Sequence, residues 1–153
     1  MIEGQRWPGP TISVWNATGY PLAVRDAMRA WNGVGAGIRF VPAADRASAD
    51  VVVQYGSLKE QGQASVGYGP GRSNVSLVRG LGRIVATTLA AHELGHVLGL
   101  GHETLGCTLM APVVNAGSAS RCGIAACRTI WRCLVQRDDA AGVVALYGRR
   151  SPA

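Results

Sequence analysis

The chain has 153 residues, 48% of them hydrophobic, which suffices for one domain with a substantial core and is too short for two. No apolar run reaches the roughly 18 residues of a membrane-spanning helix, so a membrane span is not expected. The formal charge of +6 comes from arginines spread along the chain, with Lys59 the only lysine; without a basic stripe or interleaved aromatics this reads as a solvated surface and argues against nucleic-acid binding.

In chain order, Thr11 to Asn16 alternates as a strand. Pro21 to Asn32 places Leu22, Val24, Ala27, Met28 and Trp31 at helical spacing, with Gly33 and Gly35 as stops. Ile38 to Val41 and Val51 to Tyr55 read as two further strands, the second a continuous apolar run suited to a sheet interior. The Gly-rich stretch that follows offers short strands at Ala64 to Tyr68 and Val75 to Val78, joined by Gly69-Pro70-Gly71-Arg72-Ser73-Asn74. A second helix is expected from Ile84 to Leu98, then a long irregular stretch to Cys133, then a last helix from Arg137 to Tyr147. Asp138 and Asp139 stand in the favoured first turn of that helix. Neither repeats nor linkers interrupt this order, and residues 1–153 read as a single domain.

The chemistry is concentrated in His92-Glu93-Leu94-Gly95-His96-Val97-Leu98-Gly99-Leu100-Gly101-His102. His92 and His96 are four apart, so a helix projects them from one face, close enough to share a tetrahedral metal. Gly99 can take positive φ, end the helix and let His102 approach the same ion from outside it. Three protein ligands leave a fourth position for a water acidified by Zn²⁺, and Glu93 stands beside the first ligand as a general base. A chance match to the five specified positions is on the order of 10⁻⁷ per starting point. The chain's 3 histidines all fall in this motif.

The four cysteines, Cys107, Cys122, Cys127 and Cys133, crowd the last third. They read as disulfides, pairing open, and so as an oxidising compartment. A four-Cys zinc site is the rival reading, disfavoured by uneven intervals. The opening Met1 to Pro8 lacks the basic-then-apolar layout of a signal peptide. The protein is therefore either cytosolic or a processed catalytic domain, and the clustered cysteines favour secretion, with any signal and prosegment absent from this chain.

The extended His motif, with Cys107-Thr108-Leu109-Met110-Ala111-Pro112 after it, resembles the metzincin metallopeptidases. Within them, Leu94 to Leu100, Leu109-Met110 before Pro112, and the ending Asp138 to Gly148 look most like the matrixins, the matrix metalloproteinase group and its bacterial relatives. Glu103 departs from that pattern and matches the astacins. The resemblance implies an α+β fold: a twisted, mostly parallel five-stranded sheet with an antiparallel edge strand, two backing helices and a small C-terminal subdomain with one helix. It implies one catalytic zinc held by His92, His96 and His102, and Met110 as the Met-turn, an apolar floor under the metal. It also implies a cleft whose edge strand, Ala64, Ser65, Val66, Gly67 and Tyr68, pairs with extended substrate, and a pocket walled by residues 111–132. One of Asp138 and Asp139 would tie down a mature N-terminus, or both are simply first-turn charges. Residues 1–91 contain no His, so the second, structural zinc of the group is not expected. Glu60 is the only acid between Lys59 and Ile84, so calcium is not expected either.

The expected function is that of a secreted, monomeric zinc endopeptidase acting on protein or peptide substrates. The alternatives are a non-catalytic binding module on the same fold and a zinc hydrolase of non-peptide amides.

Overall fold

A computed structural model describes residues 2–57, 62–104, 107–112 and 127–151. Five strands form one sheet: β1 (Thr11–Asn16), β2 (Arg39–Pro42), β3 (Val51–Tyr55), β4 (Gly62–Ala64) and β5 (Ser73–Leu77). Their spatial order is β2-β1-β3-β5-β4. The first four in that order run parallel, with Val14 opposite Val51 and Val53 opposite Val75. Strand β4 closes the edge antiparallel to β5, Ala64 opposite Val75. Val51, Val52 and Val53 are all buried, as an unbroken apolar run in a parallel sheet interior must be.

Among the described residues, three α-helices accompany the sheet: α1 (Pro21–Asn32), α2 (Arg83–Val97) and α3 (Arg137–Tyr147), with a short 3₁₀ turn at Ile130–Arg132. Pro21 opens α1 at the position where a missing N–H is harmless. The inward face of α1 carries Ala23, Val24, Ala27, Ala30 and Trp31, and Trp31 Nε1 donates to the Ala91 carbonyl of α2 at 2.8 Å. Helix α2 is buried on every side from Ala86 to Val97, because sheet, α1 and the C-terminal segments all pack on it. Each large apolar side chain fully buried there, Leu94 for example, stabilises the fold by roughly 1.5–3 kcal/mol. The α+β architecture matches the expectation.

The edge strand departs from it. Pairing covers Gly62–Ala64 and ends before Ser65. Gly67 sits at φ +67 and turns the chain; its amide donates to the His96 carbonyl at 2.8 Å, and the Tyr68 amide donates to Gln5 at 2.8 Å. The N-terminal segment thus occupies the place that strand continuation would have taken. It is anchored on its other side by Glu3 and Gly4 donating to Gly99, and by Trp7 Nε1 donating to Val97 at 2.7 Å.

Candidate metal centre

Helix α2 delivers His92, Glu93 and His96, and its end delivers the third histidine. Leu98 caps the helix in αR conformation, then Gly99 at φ +98 reverses the chain. That conformation favours glycine. The Gly99 amide returns to His96 and the Leu100 amide to Gly95, so the reversal is tight and His102 comes back over the helix.

The three ligand atoms lie within 4.8 Å of one another. His96 Nε2 stands 3.1 Å from His92 Nε2 and 3.2 Å from His102 Nε2. Two nitrogens bound at tetrahedral zinc distances would stand about 3.3 Å apart, so the spacing fits one shared ion. His92 Nδ1 lies 2.8 Å from the Leu109 carbonyl, and His96 Nδ1 lies 2.8 Å from the Leu100 carbonyl. A carbonyl only accepts, so each Nδ1 carries the hydrogen and each Nε2 keeps its lone pair toward the centre. Burial pushes the His92 imidazole down to about 4, against a smaller upward pull from the Leu109 carbonyl. Burial lowers His96 as well. Both rings are held in the neutral form that binds metals.

Glu93 is buried beside His92. Its carboxylate backs onto the first residue of β4: a Cβ on Gly62 would collide with Glu93 Oε1 and meet Leu89 Cδ1 at 2.9 Å. A side chain at that position would have to displace the Glu93 carboxylate and the Leu89 side chain.

Met110 lies against α2 between the two helical histidines. A Cβ on Gly95 would strike the Met110 sulfur and come within 2.9 Å of the Trp31 ring. The turn carrying Met110 is held from two sides. The Glu103 amide donates to the Met110 carbonyl at 2.8 Å, linking the turn to the segment bearing His102. On the other side Asp139 of α3 accepts from the Thr108 hydroxyl, from the Leu109 amide at 2.8 Å and from the Met110 amide at 3.2 Å. Asp139 also accepts from the Gln136 amide, closing a capping box at the start of α3. It is buried and tied to the turn, a role that its reading as a first-turn charge or an N-terminus anchor did not contain. Asp138 is exposed and lines, with Ile2, a cavity of about 300 Å³.

Of the five residues expected to line the cleft, Ala64 is in the edge strand, and the amides of Gly67 and Tyr68 are spent within the chain. Val66 and Tyr68 remain exposed. Cys127 and Cys133 are joined in a disulfide with Cα atoms 6.3 Å apart, and Cys107 is disulfide-bonded too. That removes the thiolates a four-Cys zinc would need. Cys122 and most of the expected pocket wall, residues 113–126, lie outside the described residues.

Comparison with known proteins agrees with this geometry. The matrixin family model matches residues 82–148. Matrix metalloproteinase-19 of Mus musculus is 44% identical over 64 residues, 42% of this chain and 10% of that protein. The Homo sapiens protein of the same name is 42% identical over 64 residues, with the same two shares. The matched stretch is thus about a tenth of the length of these curated relatives. Over residues 82–148, the stretch that carries the three histidines, Glu93, Met110 and Asp139, the chain is similar to the matrixins.

Proposed function

We propose that the chain is a zinc-dependent endopeptidase, acting as a single catalytic domain on protein or peptide substrates. The observation that carries this reading is the convergence of three imidazole Nε2 atoms, two of them oriented by backbone carbonyls, beside a buried glutamate. His92, His96 and His102 would hold the ion. Bound there, zinc supplies Lewis acidity to the scissile carbonyl and lowers the pKa of water.

The rest is done by the chain's own groups. Glu93 takes a proton from the attacking water and returns it to the leaving amine, which makes it base and then acid within one turnover. Gly62 holds the carboxylate side of Glu93 against the sheet edge, limiting its orientations. Met110, buried against Gly95 of α2, puts an apolar side chain under the site. The free edge of β4, Gly62–Ala64, offers backbone groups to an extended polypeptide. The Cys127–Cys133 disulfide supports secretion into an oxidising compartment.

The test uses zinc-loaded protein with its cysteines oxidised, incubated with denatured casein and read by mass spectrometry. Internal cleavages that vanish with a zinc chelator, and that fall about 10²- to 10⁴-fold in Glu93→Gln with zinc retained, are expected. No cleavage by a protein that still binds a hydroxamate would replace the enzyme by a binding module.

A further inference from the structure

At the opposite end of α2 from the histidines, four arginines border a cavity of about 340 Å³: Arg25 and Arg29 of α1, Arg83 at the start of α2, and Arg128. Among the described residues lining it, Asp26 is the one carboxylate. Its oxygens lie 3.3 Å from Arg25, 3.7 Å from Arg29 and 3.0 Å from Arg83. Asp26 is buried, whereas those three arginine side chains are 49%, 53% and 60% exposed, so each guanidinium keeps donors for another partner. One negative charge faces four positive ones.

Three features here are unfavourable to the chain by itself. Arg25 and Arg29 are like charges four apart on one helix. Arg83 opens α2 at the end where the helix dipole is already positive, and no acid sits in that first turn. Arg128 adds a fourth charge to the same cavity. A bound anion offsets all three. The remaining wall, Ile84, Ile130 and Trp131 together with Cys127 and Thr129, is largely apolar, which suits the aliphatic stem of an acidic side chain. A compact hollow, unlike a long basic stripe, favours carboxylates on a peptide over an extended sulfated glycan.

We propose that this cavity binds an acidic segment of the polypeptide substrate. Its being substrate rests on the peptidase reading; the binding does not. Arg83 precedes His92 by nine residues, about 14 Å along the helix and about half a turn around it, so the path between them is longer than about four extended residues. The acidic segment would therefore lie four or more residues from the scissile bond.

Binding is measured by fluorescence anisotropy with labelled hexaglutamate and hexaglutamine peptides, on wild-type protein and on Arg128→Gln, which leaves the three ion pairs of Asp26 in place. The expected result is hexaglutamate binding that weakens steeply with salt, is absent for hexaglutamine and drops about fivefold or more in Arg128→Gln. Arg83→Gln, checked for folding by circular dichroism, should show the same direction. Equal binding of both peptides, or wild-type affinity in Arg128→Gln, overturns the proposal. So does a heparin hexasaccharide that binds more tightly than hexaglutamate with the same arginine dependence, which would assign the cavity to sulfated glycans. In a second arm, paired substrates carry an acidic or a neutral segment beyond the fourth residue from the cut; Arg128→Gln should raise KM for the acidic one alone, with kcat unchanged. Hexaglutamate binding without any cleavage would sink the peptidase reading and leave the anion site standing. Cleavage without hexaglutamate binding would do the reverse.

Discussion

The Leu109 amide donates to Asp139 at 2.8 Å across thirty residues of chain, while the carbonyl of the same residue faces His92 Nδ1 at 2.8 Å. One peptide segment therefore transmits the position of α3 to a candidate metal ligand on α2. Asp139 fixes the turn, the turn fixes the His92 tautomer and ring plane, and the ring aims Nε2.

Asp139→Ala should therefore affect metal affinity as well as stability. It strips the acceptor from three backbone amides and the Thr108 hydroxyl in a buried place, a loss of about 2–4 kcal/mol. Zinc affinity should fall about 10- to 100-fold, the range for removing a group that orients a ligand. Thermal unfolding and a competitive zinc titration check both. Unchanged zinc affinity in a destabilised protein would mean that the turn does not aim His92.

A second expectation concerns Gly62. A methyl group there enters the space of the Glu93 carboxylate and the Leu89 side chain. Gly62→Ala should lower kcat about tenfold or more by displacing the base, with zinc content unchanged because the atoms nearest the new methyl belong to Glu93 and Leu89. Full activity in that variant would show that Glu93 has room the packing does not suggest.

Gly95 and Met110 should behave as a coupled pair. Gly95→Ala alone forces the new methyl onto the Met110 sulfur and the Trp31 ring, at about 1–3 kcal/mol. Met110→Ala alone opens a cavity at about 2–5 kcal/mol. In the double variant the methyl fills part of the space left by the thioether, so the two losses should sum to more than the observed loss, with a coupling of about 0.5–3 kcal/mol. Denaturant unfolding of the four proteins gives that number. Simple additivity would place Met110 somewhere other than under α2.

The bounds of β1, α1, β3 and α3 were legible in the sequence because each is set locally: alternation in Thr11–Asn16, helical spacing after Pro21, an apolar run at Val51–Tyr55, paired aspartates opening Arg137–Tyr147. The His motif was legible for the same reason, since four-residue spacing and one glycine decide where its side chains go. The edge strand was not. It ends at Ala64 because Gln5 and His96, distant in sequence, claim the amides of Tyr68 and Gly67. The work of Asp139 was hidden likewise. Its partners Thr108, Leu109 and Met110 come from another segment, and a carboxylate in a first helical turn looks the same whether it faces solvent or a buried turn. The tolerances at Gly62 and Gly95 belong to packing between elements, which no local pattern encodes.

Metal removal gives the last expectation. Two of the three imidazoles have their Nδ1 atoms engaged by carbonyls on the Met110 turn and the post-helix reversal, so an ion at the Nε2 atoms would bind the folded chain and not the unfolded one. Zinc should then stabilise the protein by mass action, by about 2.7 kcal/mol at a hundredfold excess over its dissociation constant. Stripping it with a neutral chelator should lower the melting temperature, and added zinc should restore it. Metal analysis should give one zinc per chain, because the described cysteines are in disulfides and the histidines form one group. His102→Ala should weaken the stabilisation while leaving the fold intact, as His102 is exposed and outside the helix. Two zincs per chain, with thiols that react only after the metal is removed, would return the cysteines to metal binding. A melting temperature indifferent to zinc would remove the ion from the three histidines altogether.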